Sequence, residues 1–158
     1  MKFKGFAAAL TAATVMLGGI ATAESHVDPA IAGAIKARQA TMQLYAFSLG
    51  TLGGMAKGAI DYDADAASAA ANNLAALTKL NQMAMWPQGS DSESVDASRA
   101  LPAIWTDFAG VSEKAKAAAD AADAMAMAAG NGLDALRGAI GGVGASCGGC
   151  HKAYRAPE

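Results

Sequence analysis

From Ile31 onward the chain repeats a spacing that suits a packed helix. Ile31, Ile35, Arg38, Met42, Tyr45, Leu49 and Leu52 fall at alternating steps of four and three, which keeps them on one helical stripe. The alternation returns through Ile104, Phe108, Val111, Ala115, Ala118, Ala122 and Met125. It returns again through Leu133, Leu136, Ile140, Val143, Cys147, Cys150 and Tyr154. Such stripes seal when helices pack nearly antiparallel, so the fold expected is an all-α, antiparallel four-helix bundle. Composition agrees. Apolar residues make up 53% with alanine the largest share, and aromatics only 6%, a poor stock for sheets. Charged residues at 16% are too few for a disordered chain.

The punctuation places the helices. Asp28 suits an N-cap and Pro29 the first helical position, so the first helix should run to about Lys57 and stop at Gly58. A second is expected after Asp61 or Asp63, carrying Leu74, Leu77, Leu80 and Met83 or Ala84 inward and ending at Trp86-Pro87. Gln88 to Ala100 is polar and reads as the one long connection. Pro102 opens the third helix, and Gly130-Asn131-Gly132 breaks the chain before the fourth, with Asn131 as its cap. No internal repeat and no second domain are evident.

The N-terminus reads differently. Lys2 and Lys4 precede an uncharged apolar stretch from Phe6 to Ile20, and Ala21-Thr22-Ala23 offers small residues where a signal peptidase reads. Residues 1–23 are therefore expected to be a cleaved secretory signal, with residues 24–158 the mature domain. The alternative is a membrane anchor, for which the run is short and diluted by Thr11, Gly18 and Gly19. Removal of the two signal lysines from 12 basic residues, against 14 acidic ones, takes the formal charge from −2 to −4. That balance argues against a nucleic-acid partner and for a soluble periplasmic protein without stable membrane insertion after cleavage.

Export sharpens the reading of the two cysteines, Cys147 and Cys150, which Gly148-Gly149 separate and His151 follows. A redox Cys-x-x-Cys normally follows a strand, and no strand is expected here. A structural zinc site needs four ligands, and the other histidine is the distant His26. Covalent attachment of one haem c remains, for which Cys-x-x-Cys-His is the signature. Each thiol adds to one vinyl group, and residues three apart on a helix bring both sulfurs to one side. The adjacent imidazole of His151 is then available as an axial iron ligand.

Two stripe residues are odd for a plain core. A buried Arg38 guanidinium needs a partner. A haem propionate would serve, and so would an escape to water at the bundle end. Met42, one turn on, is either gap-filling core or a thioether ligand to iron, and spacing does not choose it for that role over Met55, Met83, Met85, Met125 or Met127. Gly50, Gly53 and Gly54 in the first helix, and Gly138, Gly141, Gly142 and Gly144 in the last, each weaken a helix interior. They are expected either to leave room for a macrocycle, to let helices approach closely, or simply to be tolerated.

The segment Cys147-Gly148-Gly149-Cys150-His151-Lys152-Ala153-Tyr154-Arg155 at the extreme C-terminus resembles the class II c-type cytochromes, the group of the cytochromes c′ and their low-spin, methionine-ligated relatives. The resemblance extends over Ile35 to Ala40, Trp86-Pro87-x-Gly89 and Ile104-Trp105. It implies a distal residue at Met42, a propionate contact from Arg38 and a proximal basic residue at Arg155. It also implies His151/Met42 ligation with periplasmic redox partners, or else a five-coordinate iron that binds nitric oxide or carbon monoxide. Family members often dimerise through the first two helices, which leaves a homodimer open. No Ser/His/Asp set and no phosphate loop after a strand can be assembled, so an enzyme is not expected.

Overall fold

The computed structural model describes residues 27–157; the expected signal segment and His26 lie outside them. The chain forms α1 (Pro29–Lys57), α2 (Ala64–Thr78), a single 3-10 turn at Met83–Met85, α3 (Ala103–Thr106), α4 (Phe108–Ala128) and α5 (Leu133–Tyr154). Among the described residues, the one pairing of extended backbone is an isolated antiparallel bridge between Ala100 and Arg155. The fold is an all-α bundle whose four arms are α1, α2, α4 and α5. The pairs α1–α2, α2–α4 and α4–α5 pack extensively, whereas α1 meets α5 more lightly.

Local chemistry sets the helix limits. Asp28 accepts from the Ala30 N–H at 2.7 Å and Asp63 from that of Ala66 at 2.7 Å, each satisfying an amide that the first turn leaves unpaired. Gly58 closes α1 at φ 71° and returns its N–H to the Gly54 and Met55 carbonyls, a backbone state that a side chain disfavours.

At one end of the bundle lie the two short turns, residues 58–63 and 129–132. Tyr62 locks them together: its hydroxyl donates to the Ala129 carbonyl at 2.9 Å and accepts from the Gly132 N–H at 2.9 Å. Arg137 Nε adds a bond to the Ala56 carbonyl at 2.8 Å. The apolar core fills this end and the middle. Leu52, Met55, Ala67, Ala70, Ala71, Leu74, Ala75, Ala122, Met125, Ala129, Leu136 and Val143 form one cluster, with Tyr45, Leu49, Ile140 and Cys147 at its margin. Full burial of Leu52 and Leu136 stabilises by roughly 1.5–3 kcal/mol each. The other end holds both described termini and the connection from α2 to α3.

Three expectations need correction. The second helix stops at Thr78, so Leu80 and Met83 face water at 48% and 70% exposure instead of the core. Its inner face is made of alanines and Leu74, and Asn81 instead takes the Met83 N–H at 3.1 Å. The third helix is broken at Asp107 (φ −119°, ψ 61°), and Phe108 stands exposed. Asp107 leaves helical geometry because its carboxylate caps α4, accepting from the Gly110 N–H at 3.0 Å. Asn131 caps no helix start: its amide donates back to the Met127 carbonyl at 2.7 Å, and Gly132 occupies the cap position of α5.

The glycines also divide differently from expectation. A methyl built at Gly50, Gly53, Gly138, Gly141, Gly142 or Gly144 meets nothing within 4 Å, which rules out close helix approach as their purpose. A methyl at Gly54 would crowd the Ile60 side chain at 3.2 Å, and the tightest positions are Gly110, against Tyr154 and Asp107, and Gly130, against the Ser68 hydroxyl.

Candidate haem-binding site

Cys147, Cys150 and His151 lie on the last two turns of α5, within an arc of about 100° on the helix surface. Both thiols are free and half-buried. Cys147 borders the core cluster, as does Tyr45 of α1, whose hydroxyl donates to the Leu77 carbonyl at 2.9 Å. Burial first, and then the Cys147 charge, holds the Tyr45 phenol above its ordinary value, against the Gln82 hydrogen bond.

The electrostatics suit attachment better than thiol redox work. Burial, followed by Cys147, raises the Cys150 thiol above its usual pKa, the reverse of an activated redox cysteine. His151 is pushed below the usual imidazole value by burial, then by the charges of Arg155 and Arg99. Neutral imidazole is the form that ligates metal. Among the described residues no three His, Cys, Asp or Glu side chains converge as an ion site, so these donors stand side by side and do not surround one zinc position.

Chain direction places Met42. The turn 58–63 returns the chain from α1 to α2, the connection 79–102 stays at the far end, and 129–132 returns it from α4 to α5, so α1 and α5 run antiparallel. One turn back along α1 from Tyr45 is Met42, and one turn forward along α5 from Cys147 is His151. Met42 lies between buried Arg38 and half-buried Tyr45 on the same stripe, yet it is 36% exposed. The core cluster ends at this level, at Tyr45 and Cys147. Two thiols, an imidazole and an uncovered apolar stripe fit a covalent haem. Beside His151 opens a groove of about 750 Å³ lined by Arg99, Gly148, Lys152, Arg155, Ala156 and Pro157.

Arg38 takes partners that neither sequence alternative foresaw. It is 4% exposed, which removes the escape to water. Its Nη1 donates to the Ser90 hydroxyl at 2.7 Å and the Met85 carbonyl at 3.4 Å, and its Nη2 to the Ser98 hydroxyl at 2.7 Å and the Ser90 carbonyl. The guanidinium also lies 4.7 Å from the Trp86 ring centroid, a cation–π distance. Burial works against its charge, and Asp91 offsets this in part. The terminal nitrogens are thus committed to the connection, and a propionate contact is not needed to explain the burial. Arg155 sits one turn beyond His151, its backbone in the bridge to Ala100.

Three features escaped the sequence reading: Ser90 and Ser98 as partners of Arg38, Arg99 beside the motif, and a bond from the Tyr154 hydroxyl to Asp107 Oδ2 at 2.6 Å. Serines in a polar stretch carry no local mark of burial, so only the fold could select Ser90 and Ser98. Tyr154 and Asp107 stand 47 residues apart, and no spacing within a helix pairs them.

Comparison with known proteins agrees with this geometry. The family described as Cytochrome C′ matches residues 33–155. Cytochrome c-554 of Cereibacter sphaeroides is 40% identical over 149 residues, covering 94% of this chain and 95% of its own. A solved cytochrome c′ from Rhodobacter superposes with a TM-score of 0.80 at 36% identity, over 84% of this chain and 100% of that one. Another solved cytochrome c′, described as having a ligand-controlled dimer dissociation, reaches a TM-score of 0.74 at 28% identity, over 84% of this chain and 100% of that one. The fold and the Cys-x-x-Cys-His turn define a class II c-type cytochrome, and cytochrome c′ is itself a standard example of the bundle architecture. The chain belongs to the cytochrome c′ family, whose members carry covalently attached haem c.

Proposed function

We propose that this protein is a periplasmic one-electron carrier, with a single haem c bound through Cys147 and Cys150 and with iron ligated by His151 and Met42. The observation that carries the reading is the placement of Met42. It lies on the α1 stripe one turn from Tyr45, which is near enough to Cys147 to feel its charge, and the antiparallel course of α1 and α5 supports pairing it with His151. The haem, when bound, supplies the one-electron chemistry of iron. Cys147 and Cys150 hold it, and His151 presents a neutral imidazole. The Met42 thioether would be the second protein ligand to that iron and would favour a higher potential than a second histidine. In this reading the protein transfers electrons to and from periplasmic redox partners, with no substrate turned over.

Residues 1–23 would direct export and be removed. No described helix is long and apolar enough to cross a membrane. The exposed Leu44 and Phe47 on the outer face of α1 would suit a homodimer through the first two helices.

A second reading has its own support. Relatives named cytochrome c′ support it: with Met42 off the metal, a five-coordinate iron would bind nitric oxide or carbon monoxide. Absorption spectra of the periplasmically expressed protein, oxidised and reduced, with and without carbon monoxide, separate the two. A sharp low-spin band that carbon monoxide leaves unchanged, and that Met42→Ala abolishes, is the expected result. A broad high-spin spectrum that carbon monoxide shifts would transfer the assignment to gas binding. Mature protein without haem absorbance would end both readings.

A further inference from the structure

The light contact between α1 and α5 poses a question that their own side chains do not answer: what holds Met42 at a set distance from His151. The connection from α2 to α3, residues 79–102, is bonded to both helices. On the α1 side it receives Arg38 through Ser90, Ser98 and Met85, and Gln39 Nε2 donates to the Ala97 carbonyl at 2.8 Å. On the α5 side it forms the Ala100–Arg155 bridge. There the Leu101 N–H donates to the Tyr154 carbonyl at 3.0 Å and the Ala156 N–H to the Arg99 carbonyl at 2.8 Å. Arg99 adds Nε and Nη2 bonds to the Ala156 carbonyl at 3.1 and 2.6 Å. Ser98 joins the two sides. It accepts from Arg38 and from the Ala100 N–H, and its own hydroxyl donates to the Ser90 carbonyl at 2.7 Å.

We propose that this connection is a tie that sets the separation of the two haem faces, with Arg38 and Ser98 as its positioning residues. The symmetry of placement supports this. Arg38 lies four residues before Met42 on α1, and Arg155 lies four residues after His151 on α5. Each anchor is therefore one helical turn, about 5.4 Å, from the ligand it positions. With the tie intact, Met42 stays within reach of the iron; with it loosened, α1 swings outward and the distal face opens. This consequence for ligation rests on the His151/Met42 reading, whereas the helix separation does not.

The test uses haem-loaded protein carrying spin labels at Gln43→Cys and Lys152→Cys, both exposed positions, in parent, Arg38→Ala, Ser98→Ala and Tyr62→Phe backgrounds. Tyr62→Phe weakens the opposite end and controls for general destabilisation. The label-to-label distance distribution should broaden in Arg38→Ala and Ser98→Ala and stay unchanged in Tyr62→Phe. If the parent is low-spin, the fraction that binds carbon monoxide should also rise about tenfold in the first two, as expected for a charge-assisted bond network losing about 1.4 kcal/mol. Unchanged distances in both tie variants, or equal broadening in Tyr62→Phe, would overturn the tie. A parent that already binds carbon monoxide would defeat Met42 ligation alone, with the distances still judging the tie. Should Arg38→Ala fail to fold, Ser98→Ala carries the result.

Discussion

The two ends of this bundle are held by different physics. At the turn end, alanines, leucines and methionines from all four long helices close into one cluster, and Tyr62 adds two hydrogen bonds across the loops. At the site end lie four of the five buried polar or charged residues among those described, Arg38 and Thr41 on α1 and Ser90 and Ser98 in the polar connection, and the apolar cluster stops at Tyr45 and Cys147. Dispersion and burial tolerate small shifts, because they have no direction. Hydrogen bonds to a guanidinium do not, because each fixes an angle as well as a distance. The end that must hold a cofactor in register is the end held by directional bonds.

The comparison breaks if substitutions at the turn end alter the haem spectrum. The largest effect expected there is from Leu52→Ala, which removes a wholly buried side chain and should cost about 2–5 kcal/mol. Urea unfolding followed by circular dichroism should show that loss while the absorption spectrum is unchanged.

A matched glycine pair sharpens it. A methyl at Gly110 would stand 2.2 Å from the Tyr154 hydroxyl and 2.3 Å from Asp107 Oδ2, whereas one at Gly130 would stand 2.3 Å from the Ser68 hydroxyl. Ser68 can rotate away, but the Tyr154–Asp107 pair must separate. Gly110→Ala should therefore cost about 1–3 kcal/mol and move the spectrum through the His151 turn. Gly130→Ala should cost under about 1 kcal/mol and leave the spectrum alone. Equal costs would erase the distinction. Tyr62→Phe should follow, at about 1–2 kcal/mol with no spectral change.

The smallest effect expected is a pH dependence of melting temperature. The bond to Asp107 pushes the Tyr154 phenol up to about 12, and the same bond, followed by that from Gly110, holds Asp107 below the ordinary carboxylate value. The raised phenol favours the folded state up to about pH 10, and that contribution is lost as pH climbs through the folded value. The depressed carboxylate favours folding above its unfolded value near pH 4 and loses its contribution as pH falls through the folded one. Asp107→Asn should flatten both limbs. A variant with both limbs intact would remove this pair from the account of the site end.

Legibility in the sequence followed the same division. The α1 stripe, its caps at Asp28 and Gly58, and the α5 stripe down to Tyr154 were readable because each depends on spacing within one helix. Phe108, Leu80 and Met83 were misplaced for a related reason. Periodicity continues past a helix end, and nothing in the alternation marks where Asp107 or Asn81 breaks it. The glycines of α5 left several purposes open in the sequence, and only the structure removes close helix approach from among them. Gly110, which packing does require, has no distinguishing neighbourhood in the chain.

Helical class, number of long helices and the Cys-x-x-Cys-His chemistry follow from residues a turn apart, whose relative positions the helix itself imposes. The partners of Arg38, the separation of Met42 from His151 and the pairing of Tyr154 with Asp107 join residues roughly 50 or more positions apart. Those distances exist only once the connection has folded across the end of the bundle. Side chains that meet through tertiary packing leave no period in the chain that brings them together.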